Sequence, residues 1–250
     1  MTITEERPRS VQDLMAEVRA EQAEFVALAE ELTPEQWRSP SLCAGLSVRD
    51  VLVHIARHVH HDPSVTRIVR AAVQARFSFE GASALLDAEQ EERFGAWPER
   101  SIVGLLAQPI TLGNRLVGRL PRIRLTEAVL RHDALLQLSE MVIHQQDVRR
   151  PLGLSRSIPA GRLRAVLDFT MRRAGGILVN QADSKARGLR LVASDVGWVL
   201  GDGPEVRGPG EGLLLAANGR PAGLDGLTGD GAEEFNRRVT DWDARFRPGP

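Results

Sequence analysis

The sequence predicts an α+β chain, with helices to about residue 150 and a smaller mixed segment after it. Three observations lead there. Apolar residues recur at helical spacing through much of the first part. The stretch PLGLSRSIP (151–159) has the Pro, Gly and Ser content of a connection. Beyond it come short β-branched and apolar runs separated by Asp, Gly and Pro turn signals. The expected organisation is a helical domain over residues 1–152 and an α/β domain over 153–250.

Taken in order, Ser10 followed by Asp13 has the form of a helix start, and Val11, Leu14, Val18, Phe25, Leu28 and Leu32 mark one face of a long amphipathic helix. Thr33, Pro34 and Gln36 repeat the start signal with proline at the first helical position, and Ser39 to Gly45 is read as a loop. Ser47 and Asp50 begin another helix, whose apolar face is Val48, Val51, Leu52, Ile55 and Val59, with His54 and His58 along one edge. Helical patches between Val65 and Leu120 are interrupted by Gly81, Gly95, Pro98, Pro109 and Pro121. A long helix is expected over about 124–149 and another over 160–174. GLRLVAS, GWVLGDG and PEVRGP read as strands, with GDGPEVRGPG taken as the turns of a strand hairpin. GEGLLLAANG reads as a helix ending near Gly219, and residues 231–246 as a terminal helix.

Composition limits the function classes. The 32 basic and 33 acidic residues leave a formal net charge of −1, so no general attraction to nucleic acid or an anionic membrane is expected. The polar start MTITEERPRS lacks a signal-peptide core, and no run approaches the ~20 apolar residues of a membrane span, which predicts a cytoplasmic protein. One cysteine, Cys43, allows no internal disulfide and no Cys-rich zinc site, so a metal would need His and carboxylate ligands. GDGPEVRGPG lacks the order of a phosphate loop, and neither GxSxG nor HExxH occurs. Arg119, Arg122 and Arg124 are read as solvated surface.

Candidate chemistry centres on Glu140 and His144, four residues apart in the apolar stretch LLQLSEMVIHQQDV. On a helix, positions i and i+4 share a face with Cβ atoms roughly 6 Å apart, so carboxylate and imidazole can converge on one divalent cation. The cluster HIARHVHH adds His54, His58, His60 and His61. Periodicity alone does not choose between His54 joining Glu140 and His54 pairing with His58, whereas His60 and His61 are expected on the solvent side.

LTPEQWRSPSLCAGLSVRDVLVHIARH (32–58) and EMVIHQQDVRRPLG (140–153) resemble the two motifs of the mycothiol-dependent maleylpyruvate isomerase family. The segment from Gly188 to Gly231 is similar to that family's C-terminal domain. The resemblance implies a DinB-like four-helix bundle followed by a smaller α/β domain. It also implies His54, Glu140 and His144 as ligands of one divalent metal, usually zinc, with mycothiol as cofactor or cosubstrate. Two departures stand out, Leu46 and Gln146, where relatives often carry Trp or another aromatic residue.

A His2Glu site with an open position suits catalytic rather than structural zinc, and a cation there would favour the thiolate of a low-molecular-weight thiol. Addition to a small electrophile would end in isomerisation or in an S-conjugate. The alternatives are a metal-containing binding or regulatory protein without turnover, and a metal hydrolase that needs no thiol. Asp50 and Asp147 are candidates to orient the imidazoles, although Asp50 also suits a helix cap and Asp147 a pairing with Arg150. Arg220, in NGRP, is a candidate to hold a substrate carboxylate or else a solvated arginine. Cys43 is expected to pack rather than to react. Neither oligomeric state nor substrate is specified.

Overall fold

The computed structural model describes residues 9–60, 73–74, 92, 94–110, 126–172 and 182–246. The stretches holding His61, Pro63, Gly81 and the arginines at 119, 122 and 124 lie outside the described residues. Helix α1 (Val11–Glu31) opens with a capping box in which Ser10 and Asp13 satisfy each other's backbone N–H. Thr33 and Gln36 do the same for α2 (Pro34–Arg38). The Asp50 carboxylate accepts from both the backbone N–H and the hydroxyl of Ser47, which starts α3 (Val48–His60).

Next come α4 (Glu99–Leu106) and α5 (Glu127–Arg149). The latter starts three residues later than expected because the Thr126 hydroxyl accepts from the Val129 N–H and fixes the end there. α1 packs on α5, α5 on α3, α3 on α4 and α4 on α1, which closes a four-helix bundle. Its core is built from Leu14, Val18, Phe25, Leu52, Ile55, Leu106, Leu138 and Met141.

Among the described residues the remainder contains α6 (Ala160–Met171), the short α7 (Ala182–Ala186), three strands, α8 (Gly210–Ala217), a 3-10 turn (Pro221–Gly223) and α9 (Ala232–Phe246). The strands β1 (Arg190–Ala193), β2 (Trp198–Leu200) and β3 (Glu205–Gly208) form a sheet in the order β2-β1-β3. β1 pairs antiparallel with β2 and parallel with β3. The hairpin expected of GDGPEVRGPG is therefore not made. The segment after β2 crosses to the other edge of β1, where Gly203 and Gly201 lie so close to the backbone of Gly188 and Leu189 that a Cβ would clash. Residues 213–217 of α8 are buried all round, since this helix lies between β1, α6 and the 3-10 turn.

A buried charge cluster fastens α6 to the bundle. Glu21 of α1 has a fully buried side chain and meets Arg162 of α6 at 2.5 Å and Arg156 of the connection at 2.6 Å. Arg162 also reaches Glu17 and Glu24, while Gln145 of α5 donates to Glu21 at 3.0 Å. Burial is the largest influence on Glu21 and holds its carboxyl above the usual range despite both arginines. Removing one partner of such a cluster strands the others. Glu21→Ala is expected to lower unfolding free energy by about 3 kcal/mol, read by urea denaturation, against less than ~1 kcal/mol for removing the exposed Glu35–Arg38 pair.

Candidate metal centre

Glu140, His144 and Asp147 stand at i, i+4 and i+7 of α5, a spacing that keeps all three on one face. α3 packs against that face and brings His54 and His58 to it. The His54 and His144 Nε2 atoms lie 3.6 and 3.5 Å from the same oxygen, Glu140 Oε2. Each separation is close to ~3.4 Å, the edge of a tetrahedron with ~2.1 Å bonds, so each histidine–Glu140 pair suits a zinc-like ion, while the ligand atoms of His144 group more closely with Cys43 and Asp147. His58 belongs to the same cluster: ligand atoms of His54, His58 and Glu140 all lie within 4.8 Å of one another, and the His58 ring stacks on His54 at 5.8 Å. Periodicity leaves the His54–His58 pairing open, and the fold brings both to Glu140.

The electrostatics separate the two imidazoles. Burial dominates His54 and holds it below its usual range, against the opposing hydrogen bond that the ring donates to Glu140. At His144, burial is outweighed by hydrogen bonds with Asp147, Cys43 and Glu140, which hold the ring well above its usual range. Burial also opposes the Glu140 charge, but the His58 charge and both histidine hydrogen bonds outweigh it and hold the carboxyl well below its usual range. A cation entering here must displace the His144 proton, so its binding weakens in acid.

Behind His144 lies a second layer. Asp147 is fully buried, and its Oδ2 sits 2.8 Å from His144 Nδ1. An ionised carboxylate only accepts, so Nδ1 carries the hydrogen and Nε2 faces Glu140. The expected Asp147–Arg150 pairing is not made. Arg220 donates through Nε to Asp147 Oδ1 at 3.0 Å and through Nη2 to Oδ2 at 2.7 Å, while Arg150 reaches Glu211 and the Ala222 carbonyl. Burial disfavours the Asp147 charge, but Arg220 and then His144 outweigh it and hold the carboxyl far below its usual range. Burial likewise opposes the Arg220 charge, and Asp147 and then Cys43 outweigh it and raise this already basic group.

Local sequence explains how Arg220 arrives. At the end of α8 the Gly219 N–H bonds to Ala216 O and the Arg220 N–H to Leu215 O, a Schellman motif with Gly219 at φ 82°. Arg220 is the next residue and turns inward, so it is a buried arginine rather than a solvated one. Cys43 comes from the α2–α3 loop for a different reason. Pro151 has no N–H to give the Asp147 carbonyl, which instead accepts from Leu42 N–H at 3.0 Å. This seats the loop on α5, and the Cys43 thiol donates to Asp147 Oδ2 at 3.1 Å. The sequence predicts only packing for Cys43, because its place in a PSxC loop carries no sign of these polar contacts.

A profile of the mycothiol maleylpyruvate isomerase N-terminal domain matches residues 18–149, just over half of the chain. The chain belongs to this family. The family resemblance carried by the two sequence motifs is thus established. Among solved structures, a mycothiol-dependent maleylpyruvate isomerase and a histidine-to-alanine mutant of that enzyme each superpose with a TM-score of 0.56 at 14% identity, covering 93% of this chain and 97% of the other. That likeness establishes the shared α+β fold across both halves. Comparison with curated proteins gives no match. No helix among the described residues is long and apolar enough to cross a membrane.

The Asp147 carboxyl has a depressed folded-state pKa, so its stabilisation is complete above its unfolded value near pH 4 and is lost as pH falls below that. The stability difference between parent and Asp147→Asn should accordingly be greatest from about pH 5 to 6, shrink below about 4, and shrink again as pH rises above about 6.5, where the His144 charge that Asp147 supports is progressively lost. Urea unfolding across that range checks this.

Proposed function

We propose that this protein is a metal-dependent enzyme that adds a low-molecular-weight thiol, mycothiol by family membership, to a small electrophile, with isomerisation or S-transfer as the outcome. The observation that carries the reading is that His54 and His144, from two helices, each bring Nε2 to 3.6 and 3.5 Å from one oxygen, Glu140 Oε2. Asp147 and Arg220 lie directly behind them.

In this reading His54, Glu140 and His144 hold the cation, and His58 is the nearest further donor. A divalent ion of zinc type, when bound, supplies Lewis acidity that favours a thiolate over a thiol near neutral pH. The chain's residues do the rest. Asp147 keeps the hydrogen on His144 Nδ1 and thereby presents Nε2 as a donor. Arg220 sets a fixed positive charge beside the site, suited to an electrophile that bears a carboxylate. Asp50 supports the centre indirectly by starting the helix that carries His54. The low exposure of the His144 and Glu140 side chains, 14% and 17%, limits water around the reacting groups. The partners are a thiol and a small electrophile, and the protein acts in the cytoplasm.

His54→Ala, Glu140→Ala and His144→Ala are each expected to reduce bound metal from about one equivalent to less than about a tenth without unfolding, measured by elemental analysis and circular dichroism. His58→Ala should retain it if three ligands suffice. Full metal occupancy in the first three variants would sink the ligand assignment.

The metal-bearing parent should consume mycothiol with an electron-poor alkene, and chelation should abolish that consumption. Turnover of an ester or amide panel without any thiol would instead favour the hydrolase.

A further inference from the structure

The Arg220 guanidinium has five N–H groups, and four hydrogen bonds already engage it. Nε and one Nη2 hydrogen grip the two oxygens of Asp147, and Nη1 donates to the Asn218 carbonyl at 2.5 Å. The second Nη2 hydrogen goes to Cys43 Sγ at 3.2 Å. One Nη1 hydrogen is left. A two-pronged contact with a carboxylate needs donors on neighbouring nitrogens, so an existing partner must release one.

The partners are unequal. Asp147 is ionised and fully buried, and its two bonds are charge-assisted. The Asn218 carbonyl belongs to the helix end that aims Arg220. Cys43 offers a weak acceptor, the sulfur of a thiol that itself donates to Asp147. If it gives up the Arg220 bond it still donates to Asp147 at 3.1 Å and remains seated through the Leu42–Asp147 backbone bond. The Arg220 side chain is 10% exposed, so its surroundings are not sealed.

We propose that Cys43 is the exchangeable partner of Arg220, yielding one guanidinium N–H to an incoming carboxylate and so setting the affinity of the site for anionic ligands. The thiol takes no covalent part. A serine here would hold Arg220 through a harder oxygen acceptor, and an alanine would leave the N–H available. The inference rests on the proposed function only in taking the ligand to be anionic.

The test is calorimetric titration of malonate into the purified protein, with metal content measured alongside, for the parent, Cys43→Ser, Cys43→Ala and Arg220→Ala. Cys43→Ala should bind about three- to tenfold more tightly than the parent and Cys43→Ser correspondingly more weakly, the scale of one net hydrogen bond. Arg220→Ala should lose binding even when counted per equivalent of metal retained. If alanine does not fold, the serine-to-parent ratio decides alone. Equal affinity across the Cys43 variants, parent-like binding by Arg220→Ala, or no malonate binding by the parent would each overturn the proposal. A parent that binds malonate in this order yet turns over no thiol would remove the enzymatic reading and leave this one standing.

Discussion

A carboxylate with no access to water must be met by a cation, and Asp147 is met by Arg220. That pair joins the last turn of α5 to the residue that follows α8, and so ties the helical bundle to the α/β segment at the candidate site itself. Its consequences spread outward. Asp147 orients His144, His144 faces Glu140, and Glu140 collects His54 from α3. Breaking the pair would leave a buried charge and release the imidazole tautomer together.

The Glu21 cluster is a second charged seam on the other side of α5. Gln145 reaches Glu21 of α1 while its neighbour His144 faces α3, so one helix serves a fastening face and a functional face in adjacent residues. Both seams place ions where burial opposes charge, which yields little net stability. Their effect is geometric: the Glu21 cluster fixes α6 on the bundle, α8 packs on α6, and Arg220 follows from the end of α8.

The two departures from the family pattern both lie close to this arrangement in sequence. Leu46 packs against the core at the end of the Cys43 loop, where its carbonyl accepts from Ser41 and closes the turn. Gln146 is buried, and its Oε1 has no hydrogen-bond partner among the described residues. Neither removes a proposed ligand.

Much of the fold was legible because local rules acted alone. The capping residues Ser10, Thr33 and Ser47 mark helix starts within one residue, since a cap is a contact three residues long. The i, i+4 spacing put Glu140 and His144 on one face for the same reason. The parallel pairing of β1 with β3 was not legible, because turn residues report that a chain reverses but not which edge it reaches. Local signals aim Cys43 and Arg220, but tertiary structure decided that they meet. They lie 177 residues apart, and their contact depends on a proline that frees a carbonyl and a glycine that turns the chain after α8. The sequence by itself determined the helical faces that carry the candidate ligands; the packing of α3, α5 and α8 decided which of them meet and what stands behind them, because long-range contacts leave no periodic trace in the chain.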